Sequence, residues 1–143
     1  MPAPVMTVEQ LYEALSAEFP QVFVRAADEG VFVIEAVSHG GARLRRRYRS
    51  ETLRPGGTLS GAAMMELADV GMYVAVLASI GWVPLAVTTN LNINFLRKPT
   101  PRDLIADVRL IKLGKRFAVG DIAIRAEGEE ALVAHATATY SIP

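Results

Sequence analysis

The sequence predicts an α+β fold in which one central helix lies inside a curved antiparallel sheet. The first observation is a 24-residue stretch, Leu59 to Trp82, that contains no Lys or Arg and is apolar on nearly every side. The second is a hairpin pattern before this stretch, and the third is a set of about four strand-like segments after it. Because a helix that is apolar all round cannot leave one side in water, it needs a sheet that curls around it or a second subunit that covers it.

Length and composition predict one globular domain over residues 1–143, with residues 1–20 as an N-terminal helix and lead-in. Fifteen Lys and Arg balance fifteen Asp and Glu, and 51% of the chain is hydrophobic, which excludes intrinsic disorder. The net charge of zero gives no general attraction to nucleic acid or to an anionic membrane, so we expect neither as a partner. The absence of Cys excludes disulfides, thiolate metal sites and Cys nucleophiles. The start of the chain lacks the layout of a secretory signal, so we expect a cytoplasmic protein.

The first half of the chain predicts a helix followed by a hairpin. Thr7 and Gln10 have the spacing of a capping box, apolar residues then recur on one helical face, and Pro20 ends the run. The elements predicted next are a strand over Val31–Val37, a Gly40-Gly41 turn, a returning strand over Ala42–Arg49 and a loop over Leu53–Gly57.

The second half predicts the long apolar helix and then a run of strands. Thr58 or Ser60 can cap the helix, which runs to about Ile80 and ends at Gly81. Short turns between consecutive strands predict an antiparallel meander. The predicted strands cover Leu85–Phe95, Leu104–Leu113, Phe117–Ala126 and Ala131–Ser141.

Glu66 and Asp69 are the only charges in the long apolar helix. A carboxylate is costly in the middle of a membrane, so the helix is expected in the core of a soluble fold. An apolar setting disfavours the charged form of a carboxyl group, which is how proteins prepare a general base or a nucleophile. The alternative is a surface position or a pair with an Arg such as Arg54. We favour that alternative for Glu66 and the catalytic interpretation for Asp69.

The glycine-rich approach to this helix is a second candidate for chemistry. A helix N-terminus offers unpaired N–H groups and a positive dipole end that can hold an oxyanion, although an ordinary loop with an N-cap is the alternative. Gly61 and Asp69 are eight residues apart on one helix, which is about 12 Å. One small reacting group cannot touch both residues in one chain. If both act, they come from different subunits and the site lies at a two-fold interface.

Other polar features predict structural roles. Five of the twelve Arg fall within residues 43–49, and we expect a solvated positive face, with phosphates, an acidic partner or the chain's own carboxylates as possible contacts. His39 falls in a turn and His135 in a strand; two distant His without Cys predict no metal site. Alternation along a strand places four of the arginines on one face, namely Arg43, Arg45, Arg47 and Arg49.

Two segments carry a resemblance to a known family. The run from Gly57 to Leu67-Ala68-Asp69 and the later Asn94-Phe95-Leu96-Arg97-Lys98-Pro99 resemble the hotdog-fold acyl-CoA thioesterases, in particular the phenylacetate-degradation type, and the resemblance spans roughly Val31–Ser141. It implies a homodimer or homotetramer that hydrolyses acyl-CoA and needs no cofactor. It also implies that Asp69 is the general base or nucleophile and that the Gly61 N–H of the neighbouring subunit holds the oxyanion. Thr88 is the nearest match to a hydroxyl residue that assists water.

The sequence departs from the family pattern at two supporting positions. Ser60 stands where the family has His, and Arg54 stands where it has Asn, so two groups that fix the carbonyl, the loop or the water are lost. Arg54 could pair with a carboxylate at the mouth of the site or bind an acidic acyl group. A non-catalytic protein that binds acyl-CoA or another small ligand is therefore the alternative, and a dehydratase or isomerase, which normally has a His–Asp pair, is third. Substrate contacts are expected from Gly57, Tyr73, Asn94, Arg97 and Lys98.

Overall fold

The helices and strands follow one another in the predicted order, with one addition. The computed structural model describes residues 2–24, 30–49, 53–54 and 58–143. The addition is a short two-stranded ladder, β3 with β4, where the sequence predicted a loop. The elements are α1 Val8–Glu18, β1 Phe32–Ser38, β2 Gly41–Arg46, β3 Leu53–Arg54, β4 Thr58–Leu59, α2 Gly61–Ile80, β5 Val87–Phe95, β6 Leu104–Leu113, β7 Phe117–Ala126 and β8 Leu132–Ser141.

The N-terminal helix begins at the predicted capping box and packs on the core. The Thr7 hydroxyl accepts from the Gln10 amide at 3.2 Å, and the Gln10 side chain accepts from the Thr7 amide at 2.9 Å. Leu11 and Leu15 on one face of α1 are fully buried. These contacts make the predicted apolar face part of the same core as the sheet.

The six-stranded antiparallel sheet has the order β1-β2-β6-β7-β8-β5. Strands β6 to β8 form the predicted meander, but the expected pairing of β5 with β6 is wrong, because β5 lies beside β8 at the far edge. The connection over residues 96–103, which contains Pro99 and Pro101, crosses the sheet where a tight hairpin was expected. Strand β2 ends at Arg46, three residues earlier than predicted, so the expected face of four arginines is also wrong.

Helix α2 lies in the concave face of the sheet and contacts all six of its strands. It is long and apolar enough to cross a membrane, but twelve of its twenty residues are buried inside the fold, so it is the core helix. Its C-terminal half is enclosed, whereas Met65 and Glu66 in the N-terminal half are exposed. The half-open end of the helix is therefore the part that a ligand or a second subunit can reach.

Candidate active site

Asp69 lies half-buried on the open half of α2, facing the edge of the sheet formed by β8 and β5. The Tyr140 hydroxyl donates to Asp69 Oδ1 at 2.8 Å, and the Thr88 hydroxyl donates to the same oxygen at 2.5 Å. Thr88 and Tyr140 stand opposite each other on the paired strands β5 and β8. Two neutral hydroxyls on neighbouring strands therefore hold one oxygen of this carboxylate.

A β-bulge in β5 brings Thr88 into this position. The β5–β8 register pairs Asn90 with Thr139 and then Thr88 with Tyr140, so Thr89 is the extra residue. Under regular pairing Thr89 would stand opposite Tyr140. The hydroxyl of Thr89 instead donates to the Thr139 carbonyl at 3.2 Å. Bulges often redirect a side chain next to a functional site, and here the redirected side chain is that of Thr88.

Tyr140 is a buried, neutral hydrogen-bond donor. Only 3% of it is exposed. Burial raises the pKa of Tyr140 far above its usual range; the Thr88 hydroxyl lowers the pKa in part, and the Asp69 carboxylate raises it further. The ring lies 6.2 Å from the ring of Tyr73, whose hydroxyl donates to the Pro84 carbonyl at 3.1 Å. The phenol therefore keeps its proton and donates a hydrogen bond to Asp69.

Sequence reasoning missed Tyr140. It is the last inward-facing residue of β8, after three alanines at alternate positions, namely Ala134, Ala136 and Ala138. This alternation was a signal that Tyr140 faces the helix, but it does not say which residue of α2 the hydroxyl meets. Strand β5 lies at the edge of the sheet, which brings Thr88 opposite Tyr140. This placement depends on the tertiary structure and does not follow from local sequence.

Glu66 has a different partner from that of Asp69. It forms an ion pair with Arg46 of β2, whose side chain is only 9% exposed, while that of Glu66 is 56% exposed. The Arg46 guanidinium also lies over the Phe32 ring, 5.1 Å from its centroid. The expectation that Glu66 pairs with an arginine is confirmed, although the partner is Arg46 and not the Arg54 named as an example.

The first turn of α2 combines a capped amide with one that has no partner inside the helix. The hydroxyl of Ser60, the N-cap, accepts from the Ala63 amide at 3.1 Å. Gly61 is the first helical residue, so its N–H has no acceptor within the helix. A Cβ added at Gly61 would come within 3.1 Å of Cζ of Phe95, so this ring lies directly over the glycine. Gly61 and Asp69 both belong to α2, which keeps them about 12 Å apart in one subunit.

The other residues expected at the site are distributed unevenly. Tyr73 reaches the Asp69 cluster through its contact with Tyr140. Asn94 is paired with His135 on the face of the sheet that points away from α2, so it lies apart from Asp69 of its own subunit. Arg97 and Lys98 are exposed just beyond β5. Gly57 and the side chain of Arg54 lie outside the described residues.

The arginine-rich strand pairs with the chain's own carboxylates. Arg43 binds Asp107 on the adjacent strand at 2.7 Å. Arg45 binds Glu35 at 2.8 Å and Asp103 at 3.0 Å. These pairs lie on the outer face of β1, β2 and β6 and tie neighbouring strands together. Of the contacts considered for this face, pairing with the chain's own carboxylates is the one that these two arginines make.

His135 is also satisfied on the outer face. Its Nε2 contacts Asp121 Oδ1 across β7 and β8. The sequence did not reveal this His–Asp pair, because the two residues are on different strands. Ala136, the next residue after His135, is buried on the opposite face of β8, so the pair points away from α2 and Asp69.

Comparison with known proteins agrees with this architecture. Residues 56–133 match the family model described as the thioesterase superfamily. A solved structure from Silicibacter sp. TM1040, provisionally assigned as a thioesterase, is 46% identical, covers 98% of this chain and 94% of its own, and superposes with a TM-score of 0.86.

More distant solved structures share the fold. A thioesterase from Haemophilus influenzae is 23% identical, with coverage of 97% of this chain and 92% of its own and a TM-score of 0.79. A variant of the phenylacetic acid degradation protein PaaI from Thermus thermophilus is 22% identical, with coverage of 78% and 93% and a TM-score of 0.68. The chain therefore belongs to the thioesterase superfamily, has the hotdog fold that the sequence predicted, and falls in the reaction class of thioester hydrolysis.

Proposed function

We propose that the protein hydrolyses acyl-CoA thioesters and that Asp69 is its catalytic carboxylate. The observation that carries the proposal is the setting of Asp69, which is half-buried at the open end of the core helix with Oδ1 held by two neutral hydroxyls. Among the described residues, no cation pairs with Asp69, so no ion pair has to be broken when Asp69 acts on a substrate. The reaction class comes from the family, and CoA as the carrier comes from the resemblance of residues 57–69 and 94–99. We also propose that the protein is cytoplasmic.

The carboxylate can act in either of two ways. As a general base, Asp69 takes a proton from water while the water oxygen attacks the thioester carbonyl carbon. As a nucleophile, Asp69 attacks that carbon itself, and water then cleaves the resulting anhydride. In both cases the carbonyl oxygen gains negative charge, the C–S bond breaks, and the CoA thiolate leaves and takes up a proton. The products are a carboxylic acid and free CoA.

The oxyanion would be held by Gly61 of the partner subunit in a homodimer. The distance of about 12 Å between Gly61 and Asp69 within one helix supports an arrangement across two subunits. Strand β5 supports it too, because it is an edge strand whose exposed Val87 and Phe95 offer an apolar pairing surface. Two such dimers would form the expected tetramer.

The substrate would lie between the start of one helix and the middle of the other. Tyr73 borders Asp69 and would contact the acyl group, while the exposed Arg97 and Lys98 would bind the phosphates of CoA. Asn94 points away from Asp69 of its own subunit, so a role for it would require the neighbouring copy or the outer part of CoA.

The test is hydrolysis of a panel of acyl-CoA thioesters by the wild type and by Asp69→Asn. We expect turnover of at least one member, with kcat reduced about 1000-fold in Asp69→Asn, because loss of a general base costs about 100- to 10,000-fold. Acyl-pantetheine esters of the same acyl group show whether the nucleotide part of CoA is recognised. If calorimetry detects binding of acyl-CoA but no turnover occurs, the ligand-binding alternative replaces the proposal. If there is neither binding nor turnover, both are rejected.

Subunit complementation tests the shared site. Gly61→Pro removes the N–H, and proline is well accepted at the first position of a helix after an extended residue such as Ser60. In a mixed dimer with Asp69→Asn, one of the two sites has both Asp69 and the Gly61 amide. We therefore expect two inactive variants to recover about a quarter of wild-type activity when they are refolded together. Gly61→Ala, which keeps the N–H, is the matched control, and light scattering reports dimer or tetramer. Absence of recovery would contradict a site shared between subunits.

A further inference from the structure

Two hydroxyls converge on the same oxygen of Asp69, and the second oxygen is left for chemistry. We propose that Tyr140, together with Thr88, is a positioning residue that commits Oδ1 of Asp69 to hydrogen bonds and leaves Oδ2 as the reacting oxygen. This inference rests on the proposed function and adds a residue on the last strand to the site.

The contacts of Tyr140 fix Asp69 at two points. Its hydroxyl lies 2.8 Å from Asp69 Oδ1 and 3.0 Å from the Asp69 main-chain carbonyl oxygen, so one proton is shared between the side chain and the backbone of the same residue. Such a bridge restricts rotation of the carboxylate about its side-chain bonds. Thr88 adds a second donor at Oδ1 from the other strand. The plane of the carboxylate, and hence the direction of Oδ2, follows from these contacts.

The two carboxylate oxygens are therefore chemically different. An oxygen that accepts two hydrogen bonds has its lone pairs engaged and is the weaker base and nucleophile of the pair. In the described part of the chain, Oδ2 of Asp69 has no donor. Reaction at Oδ2 thus keeps both hydroxyl contacts throughout, whereas reaction at Oδ1 would have to break them.

Tyr140 is itself held in place, as a positioning residue must be. It is almost fully buried, and its ring packs against Tyr73, which is anchored to the Pro84 carbonyl by a hydrogen bond of 3.1 Å. Thr88 is exposed at the edge of the sheet and is fixed by the bulge. A rigid donor and an edge donor together orient the carboxylate more firmly than Thr88 alone.

The test compares steady-state kinetics of Tyr140→Phe, Thr88→Val and the double variant. For Tyr140→Phe we expect kcat to fall about 10- to 100-fold with KM changed less than about twofold, because misplacement of a reacting group slows chemistry more than binding. The double variant should lose more than the product of the two single losses, since each single variant keeps one donor on Oδ1. Thr88→Ser, which retains a hydroxyl, should recover most of the activity.

Tyr12→Phe is the matched control for a merely structural role. The Tyr12 hydroxyl is also partly buried and accepts from the Ile34 amide at 2.8 Å, on the other side of the core. Tyr12→Phe should lower thermal stability about as much as Tyr140→Phe and leave kcat unchanged. If the wild type cleaves no thioester, the proposed function and this inference both fail. If wild type is active and Asp69→Asn is not, but Tyr140→Phe keeps its kcat or changes only KM, this inference alone is overturned.

Discussion

The two carboxylates of the core helix differ in what holds them. Glu66 pairs with the buried guanidinium of Arg46 on β2, toward one side of the sheet. Asp69, less than one turn later, is held by the hydroxyls of Thr88 and Tyr140 toward the other side. Glu66 is the more exposed of the two, and Asp69 is half-buried.

The difference shows how the choice of partner assigns a role to a carboxylate. A guanidinium neutralises a carboxylate and fixes it through charge, so the pair ties α2 to β2. Neutral hydroxyls fix the orientation of a carboxylate and leave its full negative charge available. Within one helix, therefore, the same kind of side chain serves once to hold the fold together and once, in the proposed mechanism, to carry out the reaction.

The largest expected effect is on activity, and it comes from neutralising each carboxylate in turn. Asp69→Asn should lose about 1000-fold in kcat, whereas Glu66→Gln should stay within about threefold of the wild type, because only Asp69 acts on the substrate. Both substitutions remove one charge and keep the side-chain shape, so each is the control for the other. Equal losses in kcat for the two variants would show that Glu66 also acts in catalysis.

Local patterns were sufficient to predict the elements that lie next to each other in the chain. The end of α2 at Gly81 and the whole of β6 and β7 follow from apolar periodicity and turn residues. Asp69 was found because a charge in an apolar run is rare, and that signal is also local. Thr88 was found only through the family resemblance.

Pairings that join distant parts of the chain could not be predicted. Tyr140 is 71 residues from Asp69, and the alternating pattern of β8 does not specify which helix residue Tyr140 contacts. Arg46 is one of five arginines within seven residues, and which of them turns inward depends on the register of β2 with β1 and β6. Strand β5 lies at the edge because the chain crosses the sheet between β5 and β6, and no local sequence pattern specifies that crossing.

A smaller effect is expected on stability, and here the roles are reversed. Glu66→Gln leaves the Arg46 guanidinium buried without its charge partner, and we expect the free energy of unfolding to fall by about 1–2 kcal/mol, because half of Glu66 is in water and the pair is partly screened. Urea denaturation measures this directly. The double variant Glu66→Gln with Arg46→Met should recover part of the loss, since a buried apolar side chain needs no partner. A further loss in the double variant would mean that Arg46 stabilises the fold through Phe32 rather than Glu66.

The smallest effect concerns the hydroxyl that holds Asp69 and is seen only at alkaline pH. The pKa of Tyr140 in the folded protein is raised above its ordinary value of 10.0, chiefly by burial, so the folded state keeps a proton that the unfolded state releases. Stability from this group is complete below that ordinary value and declines as pH rises above it. Between about pH 9 and about pH 11, the wild type should lose about 1 kcal/mol more than Tyr140→Phe, because tyrosines such as Tyr73 are present in both proteins and cancel in the difference. Urea unfolding of the two proteins at several pH values measures this difference. If the free energies of unfolding of the two proteins fall in parallel with pH, the fold does not hold the Tyr140 proton. The contrast between Asp69, held by hydroxyls, and Glu66, held by a cation, would then be contradicted.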